Sequence, residues 1–193
     1  MARRYGLAGL LDGVVLLGSR RVESSRTSIP FGVSEWVMNR LPPFVASRAV
    51  AASLRLAGAR IAPGTLFWGM PLLTGEGDFA SRLEVGELCG LNYGCMFQLD
   101  APITLADHVA VGHEVMFLTR TYDSSDPRDR GRVSGAKPIR VEAGCWLGSR
   151  CTIMPGVTIG AGSVVGASVV VTEDLPPNTL LAGRRRVSLA KWR

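Results

Sequence analysis

Written in sixes, residues 139–174 read IRVEAG, CWLGSR, CTIMPG, VTIGAG, SVVGAS and VVVTED, and the third letter is always aliphatic. It is Val141, Leu147, Ile153, Ile159, Val165 and Val171. Two positions earlier the residue is always small or β-branched: Ile139, Cys145, Cys151, Val157, Ser163 and Val169. An amphipathic helix repeats every ~3.6 residues and a half-buried strand every ~2, so a sustained period of six suits neither as an isolated element. It marks a repeat in which each unit supplies one short strand and one turn, and three units make a triangular coil. No unit buries its aliphatic residue alone, whereas stacked coils bury the whole column. The chain is therefore expected to be an all-β repeat protein, a parallel β-helix of hexapeptide repeats.

The same register continues upstream. LEVGEL, CGLNYG and CMFQLD place Val85, Leu91 and Phe97 in the inward column, and after a slip of two residues around Ala101 to Leu105 the column resumes with Leu105, Val111 and Phe117. Cys89, Cys95, Cys145 and Cys151 all fall two positions before an inward residue. Four cysteines at that one small position are expected to be free core filler rather than disulfides or metal ligands. A reducing, cytoplasmic setting follows from that usage. The register breaks at residues 119–138, TRTYDSSDPRDRGRVSGAKP, and a charged loop of this length inside a repeat points to function.

Three segments result: an N-terminal helical segment and linker over 1–60, the β-helix with its loop over 61–174, and a basic tail over 175–193 introduced by Pro176-Pro177. Residues 1–21 imitate a leader peptide, but Asp12 interrupts the apolar run and no small-residue cleavage site follows. Residues 5–18 read as a short apolar helix and 22–33 as a linker, and Ser34 offers a helix cap. FVASRAVAASLRLAG reads as a helix stopped by Gly58, with Arg48 and Arg55 on one face, suited to lying across the end of a core. Residues 5–18 and 44–58 are also the places where membrane-surface contact is expected, if there is any.

The net charge of +6 belongs to the two ends, since residues 61–174 hold eight basic against thirteen acidic side chains. With few aromatics and no basic stripe on the repeat body, nucleic acid is not an expected partner.

The text LNYGCMFQLDAPITLADHVAVG together with CWLGSRCTIMPGVTIGAGSVVGASVVVTEDLPPNTLLAG resembles the hexapeptide-repeat acetyltransferases of the maltose, galactoside and polysaccharide O-acetyltransferase type. The resemblance runs from about Ile61 to Gly183. It implies a left-handed β-helix, a homotrimer, and active sites between subunits where acetyl-coenzyme A or another acyl-coenzyme A gives its acyl group to a sugar hydroxyl. No metal is implied. By the same resemblance, Asn92 and Asp100 would bind the acceptor, Ser149 would hydrogen-bond near the thioester carbonyl, and Ala167 and Thr172 would line the coenzyme.

Two departures stand out. The family's catalytic His corresponds here to Tyr122, and its phosphate-facing Lys to Glu173. The reaction needs a base for the hydroxyl proton. An ordinary phenol titrates near 10 and an ordinary imidazole near 6.5, so near pH 7 only ~0.1% of an ordinary Tyr is phenolate. Arg184, Arg185 and Arg186 follow eleven residues after Glu173 and are expected to restore positive charge for coenzyme phosphates. His113 and Ser149 each lie two residues past an inward aliphatic on the same face, so they should stack one coil apart, ~4.8 Å in backbone spacing. That makes His113 a second candidate base beside Tyr122, while His108 sits on another corner. A zinc site of three converging His is not expected, because the sequence holds only two.

Two functions remain open on these grounds. One is a coenzyme A-dependent O-acyltransferase acting on a sugar, a glycan precursor or a small hydroxylated metabolite. The other is a non-catalytic trimeric scaffold or binding protein that has lost its base, and Tyr122 divides them.

Overall fold

A computed structural model describes residues 47–129, 131–183 and 185–188. The expected helix 5–18, the linker 22–33 and the Ser34 cap lie outside the described residues. The body is a parallel β-helix with three flat faces, as the hexad pattern requires, and it is left-handed, as the resemblance implies. Face one stacks Arg60–Ile61, Leu83–Val85, Ile103–Leu105, Ile139–Val141 and Thr158–Ile159. Face two stacks Leu66–Phe67, Gly90–Leu91, Ala110–Val111, Trp146–Leu147, Val164–Val165 and Thr179–Ala182. Face three stacks Leu72–Thr74, Met96–Gln98, Met116–Leu118, Thr152–Ile153 and Val170–Val171. All of these pairings are parallel and join one coil to the next.

The third-position column fills the prism: Val141, Leu147, Ile153, Ile159, Val165 and Val171 are at most 1% exposed. Phe97 and Phe117, stacked with centroids 4.6 Å apart, fill it behind face three. All four cysteines are free and buried. Burial disfavours their thiolates, pushing Cys95 up to about 11 and Cys151 up to about 12, as expected of inert filler. The helix Ser47–Leu56, α1, closes the N-terminal end by burying Val50, Ala51 and Leu54. Arg55 ties it down by donating from Nε to the Ile61 carbonyl at 2.9 Å, and Gly58 ends it at φ +104°.

The outward columns differ in kind. Face one shows Arg60, Glu84, Thr104 and Arg140, with Arg60 and Glu84 paired at 2.7 Å. Face two shows Leu66, Ala110, Trp146 and Val164, and face three shows Leu72, Met96, Met116 and Val170. Leu66, Leu72, Met116, Trp146 and Val170 are exposed large apolar side chains.

The coil register explains the irregularities. Val141 and Ile159, 18 residues apart, pair directly, whereas Val85 pairs with Leu105 at 20, Ile61 with Val85 at 24, and Leu105 with Val141 at 36. The surplus always leaves the prism at the corner from face three to face one: at 75–82, at 99–102 and at 119–138. The last of these is not a plain loop but an antiparallel hairpin, Arg120–Asp123 with Arg132–Ala136.

The stacking also runs past Asp174 and Pro176-Pro177. Leu175 bridges to Ile159 and Thr179–Ala182 pairs with Val164–Val165, so residues 175–182 begin another coil rather than a tail. The antiparallel strand Arg185–Ser188 then pairs with Thr179–Ala182, occupying the edge of face two.

Candidate active site

Four successive turns from face two to face three are built alike. One residue past the inward aliphatic stand Asn92, Gly112, Gly148 and Gly166, and two past it stand Tyr93, His113, Ser149 and Ala167. The chain must bend here within four residues, and Glu114, Arg150 and Ser168 adopt positive φ of 55°, 61° and 58° to do so. Neighbouring coils touch: a Cβ on Gly112 would come within 2.6 Å of the Ser149 nitrogen, and one on Gly148 within 2.6 Å of the Ala167 nitrogen. Only glycine lets the backbones approach that closely. The expected stacking of His113 and Ser149 follows from this.

Their contact is direct. The His113 N–H donates to Ser149 Oγ at 3.2 Å, and the Arg150 N–H donates to the His113 carbonyl at 2.8 Å. Having accepted a bond from the backbone, the Ser149 hydroxyl keeps its own proton to donate elsewhere. The His113 ring stands edge-on to Tyr93, with centroids 4.7 Å apart and planes at 74°. Glu114 pairs with Arg150 at 2.7 Å, and that bond first, with the Arg150 charge and then His113 behind it, holds the Glu114 carboxyl below its ordinary range. Half-buried Asn92 donates from Nδ2 to the Val111 carbonyl of the next coil at 3.0 Å. Ala167 is exposed at the same corner, one coil above Ser149.

The other predicted residues lie across face three, at its turn to face one. Asp100 is only 11% exposed and meets Arg120 through both oxygens, Oδ2 to Nε at 2.8 Å and Oδ1 to Nη2 at 3.0 Å. Tyr122 stands in the hairpin, 54% exposed, beside a register shift between Thr121 and Tyr122. Thr172 and Glu173 follow Val170–Val171 at this corner and are exposed. His113 and Tyr122 were expected beside one site. Within a chain they flank opposite edges of a face about five residues, or roughly 16 Å, wide. The reason is topological, since the strand Met116–Leu118 runs between them.

The Arg cluster is described only in part, on the edge strand Arg185–Ser188. Arg184 lies outside the described residues, and Arg185 is exposed on the edge strand. Arg186 is not a free replacement for the missing Lys, because its Nη2 pairs with Glu173 Oε1 at 2.5 Å. Arg120 escaped sequence reasoning altogether, because its partners Asp100 and Glu76 lie 20 and 44 residues away. Among the described residues no group of three or more His, Cys, Asp or Glu is placed to hold a metal ion.

Comparison with known proteins agrees with this architecture. A family profile described as the hexapeptide repeat of succinyl-transferase matches residues 138–173. The galactoside O-acetyltransferase of Escherichia coli is 30% identical over 106 residues, 55% of this chain and 52% of that protein. The chain spans about half the length of the curated relatives it matches. A maltose O-acetyltransferase from Clostridium difficile superposes with a TM-score of 0.67 at 26% identity, over 82% of this chain and 83% of that one. A hexapeptide-repeat acetyltransferase from Vibrio cholerae gives 0.68 at 30% identity, over 82% of this chain and 88% of that one. The Vibrio protein is also known in complex with acetyl-coenzyme A. With the same stacked coils and 30% identity along nearly the whole of the Vibrio protein, this chain belongs to the hexapeptide-repeat acetyltransferase family.

Proposed function

We propose that the protein is a coenzyme A-dependent O-acyltransferase, moving an acetyl or other acyl group to a hydroxyl of a sugar, a glycan precursor or a small hydroxylated metabolite. The observation that carries this reading is the His113–Ser149 step, which sets an imidazole and a hydroxyl with a proton to spare on adjacent coils. In the reaction the acceptor oxygen bonds to the thioester carbonyl carbon and the carbon–sulfur bond breaks. His113 takes the hydroxyl proton and returns it to the leaving thiolate, while the Ser149 hydroxyl donates to the carbonyl oxygen as it gains charge. Asn92 and Asp100 serve the acceptor, and Ala167, Thr172 and Arg185 the coenzyme. The family membership and the acetyl-coenzyme A complex of the Vibrio relative support this assignment.

The reading is tested by release of free thiol from acetyl-coenzyme A across a panel of hydroxylated acceptors, with Tyr122→His measured in parallel. Wild-type turnover with at least one acceptor is expected. Silence in the wild type with turnover gained in Tyr122→His would instead favour the scaffold reading.

The separation of the candidate residues onto two corners supports a homotrimer, in which the His113 corner of one copy faces the hairpin of the next. The apolar outward columns of faces two and three give such an assembly surface to bury. Light scattering in reducing buffer should give three times the 20.6 kDa chain mass, and a monomer at micromolar concentration would sink the shared site. No helix among the described residues is long and apolar enough to cross a membrane. A cytoplasmic location accords with four free cysteines.

A further inference from the structure

The three segments that leave the prism at its third corner meet at one guanidinium. Glu76 comes from the first, Asp100 from the second, and Arg120 from the base of the hairpin. Buried Thr119 knits the second and third together, its Oγ1 donating to the Gln98 carbonyl and receiving the Asp100 and Ala101 N–H groups at 3.2 and 3.3 Å. The Arg120 N–H donates to Gln98 Oε1 at 3.1 Å. Arg120 is thus fixed at both its backbone and its fork.

The two carboxylates it meets are unlike. Asp100 is nearly buried, accepting a hydrogen bond from Nη2 at Oδ1 with Oδ2 2.8 Å from Nε, so it is the fixed inner partner of Arg120. Glu76 is 86% exposed, stands between Gly75 and Gly77, and reaches Nη2 through one oxygen at 3.2 Å. An exposed single contact of that kind holds weakly and is easily displaced. Nη1 has no partner among the described residues, and 27% of the Arg120 side chain is open to solvent. Tyr122, two residues along the same strand, lies close enough for its charge to act on Arg120.

We propose that Arg120 makes this corner a subsite for an acceptor bearing a carboxylate, a sugar acid rather than a neutral sugar, with Glu76 standing in for the ligand's carboxylate until it binds. The inference rests on the acyltransferase reading above and supplies its acceptor class. A guanidinium held in place presents a planar fork that matches a carboxylate, and neutralising its inner partner leaves donors rather than acceptors facing outward.

The test is calorimetric binding of galacturonate, galactose and galactose 6-phosphate to the full chain with coenzyme A present. Galacturonate should bind at least about tenfold tighter than galactose. Glu76→Gln, a change at an exposed loop position, should tighten galacturonate severalfold and leave galactose unchanged. Arg120→Lys, which keeps a charge beside Asp100, should abolish the preference. Equal affinities in the wild type, a preference that survives Arg120→Lys, or a stronger response to the phosphate than to the carboxylate would overturn the assignment. Thiol release with the same compounds separates the two claims. Turnover without preference for galacturonate overturns the subsite alone, whereas no turnover with any acceptor counts against the acyltransferase and leaves binding to decide the subsite.

Discussion

Replacing His113 by Ala should lower turnover by on the order of 10² to 10⁴ while leaving the dissociation constant for coenzyme A within about twofold. The His113 backbone stands against Ser149, and its ring rests on Tyr93 rather than inside the core, so its loss empties no packed volume. Tyr122→Phe is the matching variant on the other corner. The two are told apart by pH dependence as well as by rate. An imidazole base gives a rate that rises through roughly pH 6 to 7 and levels, whereas a phenol base keeps it rising toward about pH 10. If turnover survives both substitutions, neither group is the base, and a hairpin carboxylate such as Asp123 or Asp126 must serve.

The largest effect on stability is expected at Phe117. It is fully buried, lies parallel to Phe97 at 4.6 Å and 7°, and belongs to the strand from which the hairpin departs. Phe117→Ala removes that stack and leaves a cavity that the rigid coils above and below cannot close, a cost of about 3–5 kcal/mol. Against a typical total of about 5–15 kcal/mol, that is a large share. Urea unfolding followed by far-UV circular dichroism should show the midpoint falling accordingly. Arg140→Ala, exposed on face one, should change it by no more than about 0.5 kcal/mol. A similar small effect at Phe117 would mean that the two rings are not the packed centre of the solenoid.

What the sequence by itself determined is everything that repeats. In a solenoid each coil meets only its neighbours, so the inward column from Val85 to Val171, the burial of the four cysteines and the stacking of His113 on Ser149 are written into a six-letter period. Even the two-residue slip before Leu105 was legible, because counting past it restored the column. What only the tertiary structure decided is everything that leaves the period. The surplus of residues in three coils all emerges at one corner, which parts Tyr122 from His113 and turns the charged loop into a hairpin. Arg120 with Asp100 and Glu76, and Arg186 with Glu173, join segments whose separation in the chain has no relation to the repeat. Periodic burial is a local property of a short stretch of chain, whereas an ion pair depends on where stacked coils deliver their insertions in space.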